Sequence, residues 1–220
     1  SDHNYNYYKR TIAHNTMLVY DPDETFYSLN RKLINDGGQR LPSNRAEVDF
    51  LEELINKDYK VSEILSHWYG PYEDVPDYSY LKGDLTDAYS DKVEKFLRSF
   101  VFLNLGNDEY PAAFIVYDKV TASNPDFQKS FMLHSLEEPQ VKGNVTTIRR
   151  TEDGFNGKLE NTTILPTEGD LEISKIGGEN KYNVYGTTYP NTPDYPLGKM
   201  ETTDSWQVFI NPKINKKTDY

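Results

Sequence analysis

Cysteine is absent from the 220-residue sequence. Its absence excludes disulfide bonds, thiolate zinc sites and cysteine nucleophiles, and it leaves the redox compartment open. There is also no run of about 18 apolar residues, so we predict no membrane span. The motifs G-x-S-x-G, H-E-x-x-H and G-x-G-x-x-G and the P-loop are missing, which removes the common hydrolase, metalloprotease and nucleotide-binding patterns. Histidine, aspartate, glutamate and tyrosine must carry any chemistry.

Positive charge is in the minority, with 24 Lys and Arg against 35 Asp and Glu and a formal net charge of -11. This balance argues against a nucleic-acid partner, because such binding needs clustered Lys and Arg to displace counterions from phosphates. The charge is unevenly distributed, and residues 47–94 alone contribute about -9. The first 45 residues include the basic pair Lys9-Arg10. An anionic ligand would therefore meet this first segment.

The chain has enough apolar and aromatic residues to bury a sizeable core. Hydrophobic residues make up 36% of it and aromatic residues 14%, including 18 Tyr, a composition typical of folded domains. No composition shift marks a boundary, so we predict one domain spanning residues 1–220.

Short runs of β-forming residues recur along most of the chain, with turn signals such as Asp21-Pro22-Asp23 and Gly106-Asn107-Asp108 between some of them. The predicted strands are 16–20, 98–105, 112–120, 130–137, 146–151, 158–165, 170–176, 182–185 and 206–210. We expect 98–105 and 112–120 to form a hairpin in the core. Repeated strands without intervening helices predict an all-β fold, a partial antiparallel β-sandwich.

One segment, residues 43–68, interrupts this pattern. Asn44-Arg45-Ala46-Glu47 resembles a helix N-cap with its reciprocal acid, and apolar residues follow at helical spacing. A second short helical piece is predicted from Val61 to Trp68, before Gly70-Pro71. We therefore predict a helical insertion at 43–68 within the β domain.

The four histidines are the natural candidates for metal binding or proton transfer. His14 stands beside Asn15 at the start of a predicted buried strand, and the residues alone leave it open between a site and a hydrogen-bonded core residue. His134 lies inside a predicted strand, so we expect a structural side chain with a hydrogen-bond partner. His3 is eleven residues from His14, too far for a local ligand pair, and His67 has no visible partner.

Four blocks of the sequence resemble the heparinase II/III family of polysaccharide lyases. They are RTIAHNTMLVYDPDE from Arg10, YSYLKGDLTDAYSDKVEKFLRSFVFLN from Tyr78, PAAFIVYDKVTASNPDF from Pro111 and FMLHSLEEP from Phe131. The R-T-x-A-H-N box is fairly specific to that family, and the blocks follow in order. The likeness covers most of the chain from about Tyr7.

The resemblance implies an α/α toroid followed by a β-sandwich that binds zinc through the histidine of the A-H-N box. His14 would then be a ligand of a structural zinc ion. The other ligands in the family, a histidine and an aspartate, precede this box, and most catalytic residues lie on the toroid. We therefore expect the catalytic residues upstream of residue 1. On this reading the chain is a lyase fragment, truncated at both ends and inactive alone.

Lyases of this family cleave uronic-acid glycosaminoglycans of the heparin and heparan sulfate type by β-elimination. The uronate carboxylate must be neutralised while a base removes the C5 proton and an acid protonates the leaving oxygen. Lys9 and Arg10 would meet anionic groups, and tyrosines would line a sugar subsite, although alternating tyrosines on a surface strand explain the pattern equally well. The predicted substrate-binding residues are Tyr5, Tyr7, Tyr8, Lys9, Arg10 and Asn15.

Other functional classes stay open. A sandwich rich in tyrosine also suits a carbohydrate-binding module without turnover, or a structural module, and the resemblance admits a homodimer. It implies a periplasmic, secreted or cell-surface protein with an anionic polysaccharide as partner. The overall acidity fits a highly sulfated polymer poorly, because like charges repel over about a Debye length of 8 to 10 Å.

Overall fold

Antiparallel strands joined by tight turns form most of the secondary structure in the computed structural model. The structure describes residues 2–28, 30–41, 51–52, 59–191 and 205–219. Within the predicted single domain, the chain forms two compact units. Unit 1 comprises residues 1–41 and 126–216, and unit 2 comprises residues 42–125 and 217–220.

Unit 1 is built around a four-stranded antiparallel sheet in the order β1-β8-β15-β12. A three-stranded sheet, β11-β10-β9, and the hairpins β2-β3 and β13-β14 accompany it. The strands of unit 1 are β1 (Met17–Tyr20), β2 (Phe26–Ser28), β3 (Arg31–Leu33), β8 (Gln128–Ser135), β9 (Gln140–Lys142), β10 (Val145–Arg150), β11 (Gly157–Thr162), β12 (Leu171–Ile176), β13 (Asn183–Val184), β14 (Thr187–Thr188) and β15 (Trp206–Pro212).

The four-stranded sheet buries side chains on both faces because successive residues of a strand point in opposite directions. On β8, Met132 joins a buried cluster with Tyr7, Ile12 and Leu18. Leu133, the next residue, joins a second cluster that includes Ile148 of β10. The first cluster therefore fixes the N-terminal segment to one face of the sheet, and the second packs the other face against β10.

Unit 2 is a five-stranded antiparallel sheet in the order β16-β7-β6-β5-β4. Its strands are β4 (Glu63–Gly70), β5 (Tyr78–Asp84), β6 (Val93–Asn104), β7 (Ala112–Ala122) and β16 (Thr218–Asp219). Arg98 on β6 and Asp118 on β7 are paired directly in the register and form a buried ion pair at 2.6 Å. Phe96 and Val120, which pair two residues away on the same face, are fully buried.

The sequence-based strands are confirmed as part of an all-β antiparallel fold, and 98–105 with 112–120 is a hairpin. The prediction that this hairpin lies in the core was wrong for the end nearest the turn. There, Phe102 and Phe114 are 43% and 59% exposed. The turn itself is as predicted, with Gly106 at φ 58°. This conformation costs glycine little because it lacks a Cβ.

The predicted helical insertion is wrong at its second half. Val61 to Trp68 was expected to be helical, but residues 63–70 form β4, whose residues pair along β5 from Glu63 to Gly70. Cross-strand pairing explains the difference, because Trp68 and Tyr80 are large aromatic partners in register. Leu51 and Glu52 are helical, whereas residues 43–50 and 53–58 lie outside the described residues.

Two further features complete the fold. Asn4–Tyr8 forms a single π-helical turn, so the tyrosines at the start of the chain do not alternate on a strand.

Among the described residues, no helix has the length and apolar character needed to cross a membrane.

Candidate functional site

A cavity of about 550 Å³ in unit 1 gathers the aromatic and titratable residues of the N-terminal segment. It is lined by His3, Tyr7, Tyr8, Lys9, Ala13, His14, His134, Tyr182, Asn191 and Ser205. Its volume is within the range of about 300 to 1,000 Å³ that small-molecule sites occupy. The polar groups converge on a wall of tyrosine rings, which makes this cavity the candidate site.

The π-helical turn Asn4–Tyr8 forms one wall of the cavity. Neighbouring residues on a helical turn point in different directions, so Tyr7 is buried while Tyr8 is 60% exposed. The side-chain oxygen of Asn6 accepts a hydrogen bond from the backbone N–H of Ile34 at 2.9 Å, which ties this turn to the residues after β3. The turn therefore holds Tyr8 and Lys9 at the cavity surface and Tyr7 in the core.

Tyr7 and His3 belong to one cluster of rings. The His3 and Tyr182 ring centroids are 4.6 Å apart in an edge-on arrangement, and those of Tyr7 and Tyr182 are 5.2 Å apart. His3 Nδ1 lies 2.7 Å from the backbone oxygen of Tyr189, a hydrogen bond that the ring donates. Burial, with a smaller contribution from the Tyr182 phenol, raises the pKa of Tyr7 above its ordinary value. Tyr7 is therefore a protonated phenol near neutral pH.

Arg10 does not face the cavity, contrary to its predicted role in anion binding. It is 2% exposed, and its Nη2 lies 2.5 Å from Oδ1 of the fully buried Asp36. Nη1 donates to the carbonyl of Ile34 at 3.2 Å, and the guanidinium lies 4.3 Å from the centre of the Phe26 ring. The predicted role of Arg10 was wrong because the basic pair Lys9-Arg10 does not reveal that Arg10 has an acidic partner, Asp36, 26 residues later in the chain.

The Asp36 carboxylate also fixes the backbone that leads to His14. It accepts hydrogen bonds from the N–H groups of Ile12 at 3.2 Å and Gly38 at 3.1 Å. Thr11–Ala13 forms a 3-10 turn at this point, in which the Thr11 carbonyl accepts the His14 N–H at 3.0 Å, and His14 itself is extended. The buried Asp36 thus determines where the A-H-N box enters the cavity wall.

His134 is held by both ring nitrogens, which confirms the expected hydrogen-bond partner. Nε2 lies 3.0 Å from the carbonyl of Ile12, which can only accept, so Nε2 carries the proton. Nδ1 lies 3.0 Å from the side-chain oxygen Oδ1 of Asn15. Desolvation lowers the pKa of His134 to about 4, opposed by the Ile12 hydrogen bond and assisted by nearby His14. The ring is therefore neutral near pH 7 with its proton on Nε2. A hydrogen bond from Asn15 to Nδ1 then requires the amide orientation in which the NH2 group, and not Oδ1, faces the ring.

The predicted site is partly assembled. Four of the predicted residues line the cavity, namely Tyr7, Tyr8, Lys9 and His14. Tyr5 lies to the side, with Lys9 Nζ 5.9 Å and the Arg31 guanidinium 5.4 Å from its ring centre. Asn15 contacts His134 instead of the cavity. The sequence did not reveal that His3, His134 and Tyr182 belong to the same site, because they come from three separate segments of the chain.

The described residues do not form a complete metal site. No group of three His, Asp or Glu side chains among them is placed to hold a metal ion. Both nitrogens of His134 are engaged in hydrogen bonds. His14 is exposed. His14 would supply one ligand, and the remainder would have to come from beyond the described part of the chain.

Comparison with known proteins adds no assignment to this geometry. No protein-family model and no curated protein matches the chain. Its function therefore has to be argued from the cavity and from the chemistry of its lining.

Proposed function

We propose that the cavity of unit 1 binds an acidic saccharide, and that the chain is the β-sheet part of a polysaccharide lyase. The substrate class is a uronic-acid glycosaminoglycan of the heparin or heparan sulfate type, cleaved by β-elimination. One observation carries the proposal. A cavity of sugar-sized volume combines the Lys9 ammonium group with the rings of Tyr7, Tyr8 and Tyr182.

Each kind of lining group suits one part of a uronate. Lys9 is exposed at the cavity and offers an ammonium group to the carboxylate, with Arg10 removed from this role by Asp36. The flat faces of tyrosines suit the apolar face of a pyranose ring, and Tyr8 presents the most exposed ring at the site. Asn191 and Ser205 add neutral polar groups for sugar hydroxyls.

The titration of the site limits which residues would move protons. Tyr7, with its raised pKa, would donate a hydrogen bond and would be a poor base. His134 is neutral near pH 7, and both of its ring nitrogens are engaged in hydrogen bonds with Ile12 and Asn15. We therefore assign it the role of positioning these two residues in the cavity wall. We assign no catalytic residue in this chain. The base and acid of the elimination are proposed to lie on another part of the lyase.

Zinc bound through His14 belongs to the same proposal. A zinc ion would fix strands around the site and would need at least two further protein ligands. Because the further ligands are proposed to lie on another part of the lyase, titrating the assembled lyase with zinc chloride tests the role of His14. We expect His14→Ala to weaken zinc binding at least tenfold, whereas His67→Ala, an exposed histidine of unit 2, leaves it unchanged. Equal zinc affinity in the assembled lyase and in its His14→Ala variant would remove His14 from the site.

Saccharide binding is tested by calorimetric titration with a tetrasaccharide of alternating glucuronate and N-acetylglucosamine. Lys9→Gln is expected to weaken binding about tenfold through the loss of one charge-assisted contact. Tyr8→Ala is expected to do the same through the loss of ring stacking. Lys32→Gln and Tyr27→Ala are the matched controls, because both side chains are exposed in unit 1 away from the cavity.

A neutral glucose tetrasaccharide is the specificity control. Binding of the uronate probe that is insensitive to both Lys9→Gln and Tyr8→Ala would refute the proposed cavity. Equal binding of the neutral probe would refute the requirement for an acidic sugar.

The second candidate function is a carbohydrate-binding module without turnover. The observation that favours it is the same cavity, which offers binding groups but no assigned acid and base pair. Both candidates predict the binding results above. They differ in the assembled lyase, where elimination generates an unsaturated uronate with a new ultraviolet absorbance, and a binding module generates none.

A further inference from the structure

An apolar surface in unit 2 is independent of the cavity. Cross-strand pairing aligns one residue from each of β4, β5, β6 and β7 into a row. One such row is Tyr69, Ser79, Phe102 and Phe114. A second row, two residues along each strand, is His67, Leu81, Phe100 and Val116. Rows two residues apart share a face of the sheet. The stacked rings of Phe100 and Phe114, 5.2 Å apart, confirm that these rows share it. We call this surface the apolar face and define it as Tyr69, Leu81, Phe100, Phe102, Phe114 and Val116.

The apolar face is open to solvent. Its exposed fractions are 49% for Tyr69, 38% for Leu81, 43% for Phe102 and 59% for Phe114. Single exposed apolar residues are normal, whereas a contiguous patch of large ones typically marks an interaction surface. Four neighbouring strands contribute side chains to this patch, so the exposure of isolated apolar residues does not explain it.

The charges around the apolar face are almost entirely negative. Two loops at the same end of the sheet, β4–β5 and β6–β7, carry an acidic rim of exposed residues, namely Glu73, Asp74, Asp77, Asp108 and Glu109. No Lys or Arg occurs in residues 69–81 or 99–118. Arg98, which does share this side of the sheet, is neutralised by the buried Asp118 and lies between the rings of Phe96 and Phe100.

The lysines of these strands lie on the other face. Lys82, Lys95 and Lys119 occupy alternate positions in the register, and Lys95 pairs with Asp84 there. The apolar face therefore offers aromatic contact area inside a negative rim. A polyanion would be repelled by this rim, and two copies of the same acidic surface would repel each other.

We propose that the apolar face binds a basic, apolar polypeptide segment of a protein partner. The partner's apolar side chains would cover the phenylalanine rings, and its Lys or Arg side chains would meet the acidic rim. The Phe100–Phe114 stack lies among the other residues of this face, and hot spots typically cluster near the centre of an interface.

The probe is a ten-residue peptide of alternating Lys and Val, compared with a peptide of alternating Glu and Val. Chemical-shift changes in the isotope-labelled chain report both affinity and location. We expect the Lys peptide to shift signals of β4 to β7 on the apolar face and to bind at least tenfold more tightly than the Glu peptide. Raising the salt concentration should weaken binding, since the rim is exposed and screened.

Matched variants separate this face from general acidity. Phe114→Ser should weaken binding of the Lys peptide about tenfold. Tyr117→Ser should leave it unchanged, because Tyr117 lies on the opposite face of β7 and is 50% exposed, against 59% for Phe114. Replacing four rim acids, Glu73, Asp74, Asp108 and Glu109, by their amides should also weaken binding. The same replacement at exposed acids of unit 1, Asp23, Glu168, Glu172 and Glu179, is the charge control.

Four results would overturn the proposal. The first is that the Lys peptide does not bind, and the second is that Tyr117→Ser or the unit 1 charge control weakens peptide binding as much as the variants of this face do. The third is that the signals of this face shift on addition of a neutral or acidic oligosaccharide. The fourth is that the chain sediments as a dimer and that Phe114→Ser abolishes this dimer. The third result would identify a carbohydrate surface and the fourth a self-association surface. None of them affects the test of the cavity in unit 1.

Discussion

The Arg10 guanidinium and the Asp36 carboxylate form an ion pair that is almost completely shielded from water, with 2.5 Å between Nη2 and Oδ1. Asp36 also accepts backbone N–H groups from Ile12 and Gly38, so both oxygens of the carboxylate have partners. Arg10, a basic residue close to the candidate cavity, therefore stabilises the cavity wall. This pair links the A-H-N segment to the turn after β3.

Removing the charge of Asp36 should strongly destabilise the fold. Asp36→Asn leaves the buried Arg10 charge without its partner, which typically costs about 3–5 kcal/mol of unfolding free energy. Urea denaturation measures the loss. Glu138→Gln is the control, because its pair with Lys175 is partly exposed and such pairs contribute about 0–1 kcal/mol. A loss at Asp36 no larger than at Glu138 would contradict the structural role of the buried pair.

Protonation of His134 should destabilise the protein at low pH. Its pKa is about 4 in the folded chain and 6.5 for an ordinary histidine, so the unfolded chain binds more protons between these values. Stability from this group is therefore fully present above pH 6.5 and is lost as the pH falls toward 4. The expected change is on the order of 2 kcal/mol, since one pKa unit corresponds to about 1.4 kcal/mol and the ring is only partly buried.

Urea denaturation between pH 7 and pH 4 measures this dependence. His134→Gln should flatten the pH profile, whereas His67→Gln, at an exposed position on β4, should retain it. An unchanged slope in His134→Gln would show that His134 does not carry the effect.

A methyl group at Gly177 should disrupt the packing of Trp206. A Cβ there would lie 2.3 Å from two atoms of the indole ring, closer than any real contact. Gly177→Ala is therefore expected to cost about 1–3 kcal/mol of unfolding free energy and to shift the fluorescence of Trp206. Gly169→Ala is the matched control, since its Cβ would meet no atom within 4 Å. Equal stability of the two variants would contradict this packing.

Local sequence patterns predicted much of the fold because strand formation has a short-range signature. The alternation Phe131-Met132-Leu133 sends Met132 to one cluster and its neighbours to the other, as a period of two requires. β4 was missed because Ile64, Leu65 and Trp68 also fit helical spacing, and only the partner strand β5 distinguishes the two structures.

The candidate site was predicted only where its residues are close in sequence. Tyr7, Tyr8, Lys9 and His14 fall within eight positions, and all four line the cavity. Tyr182 and His134 were not included, because nothing local indicates that distant segments meet there. Arg10 was included wrongly, because a single acidic residue far along the chain decides whether it is buried or free.

The sequence by itself determined the antiparallel all-β class, the position of most strands and the excess of negative charge, since these depend on residue type and short-range periodicity. Only the tertiary structure decided which charges are buried in pairs, which histidines share a cavity and which aromatic side chains stay exposed. These outcomes depend on contacts between residues far apart in the chain, as between His134 and Ile12, and such contacts form only when the sheets pack.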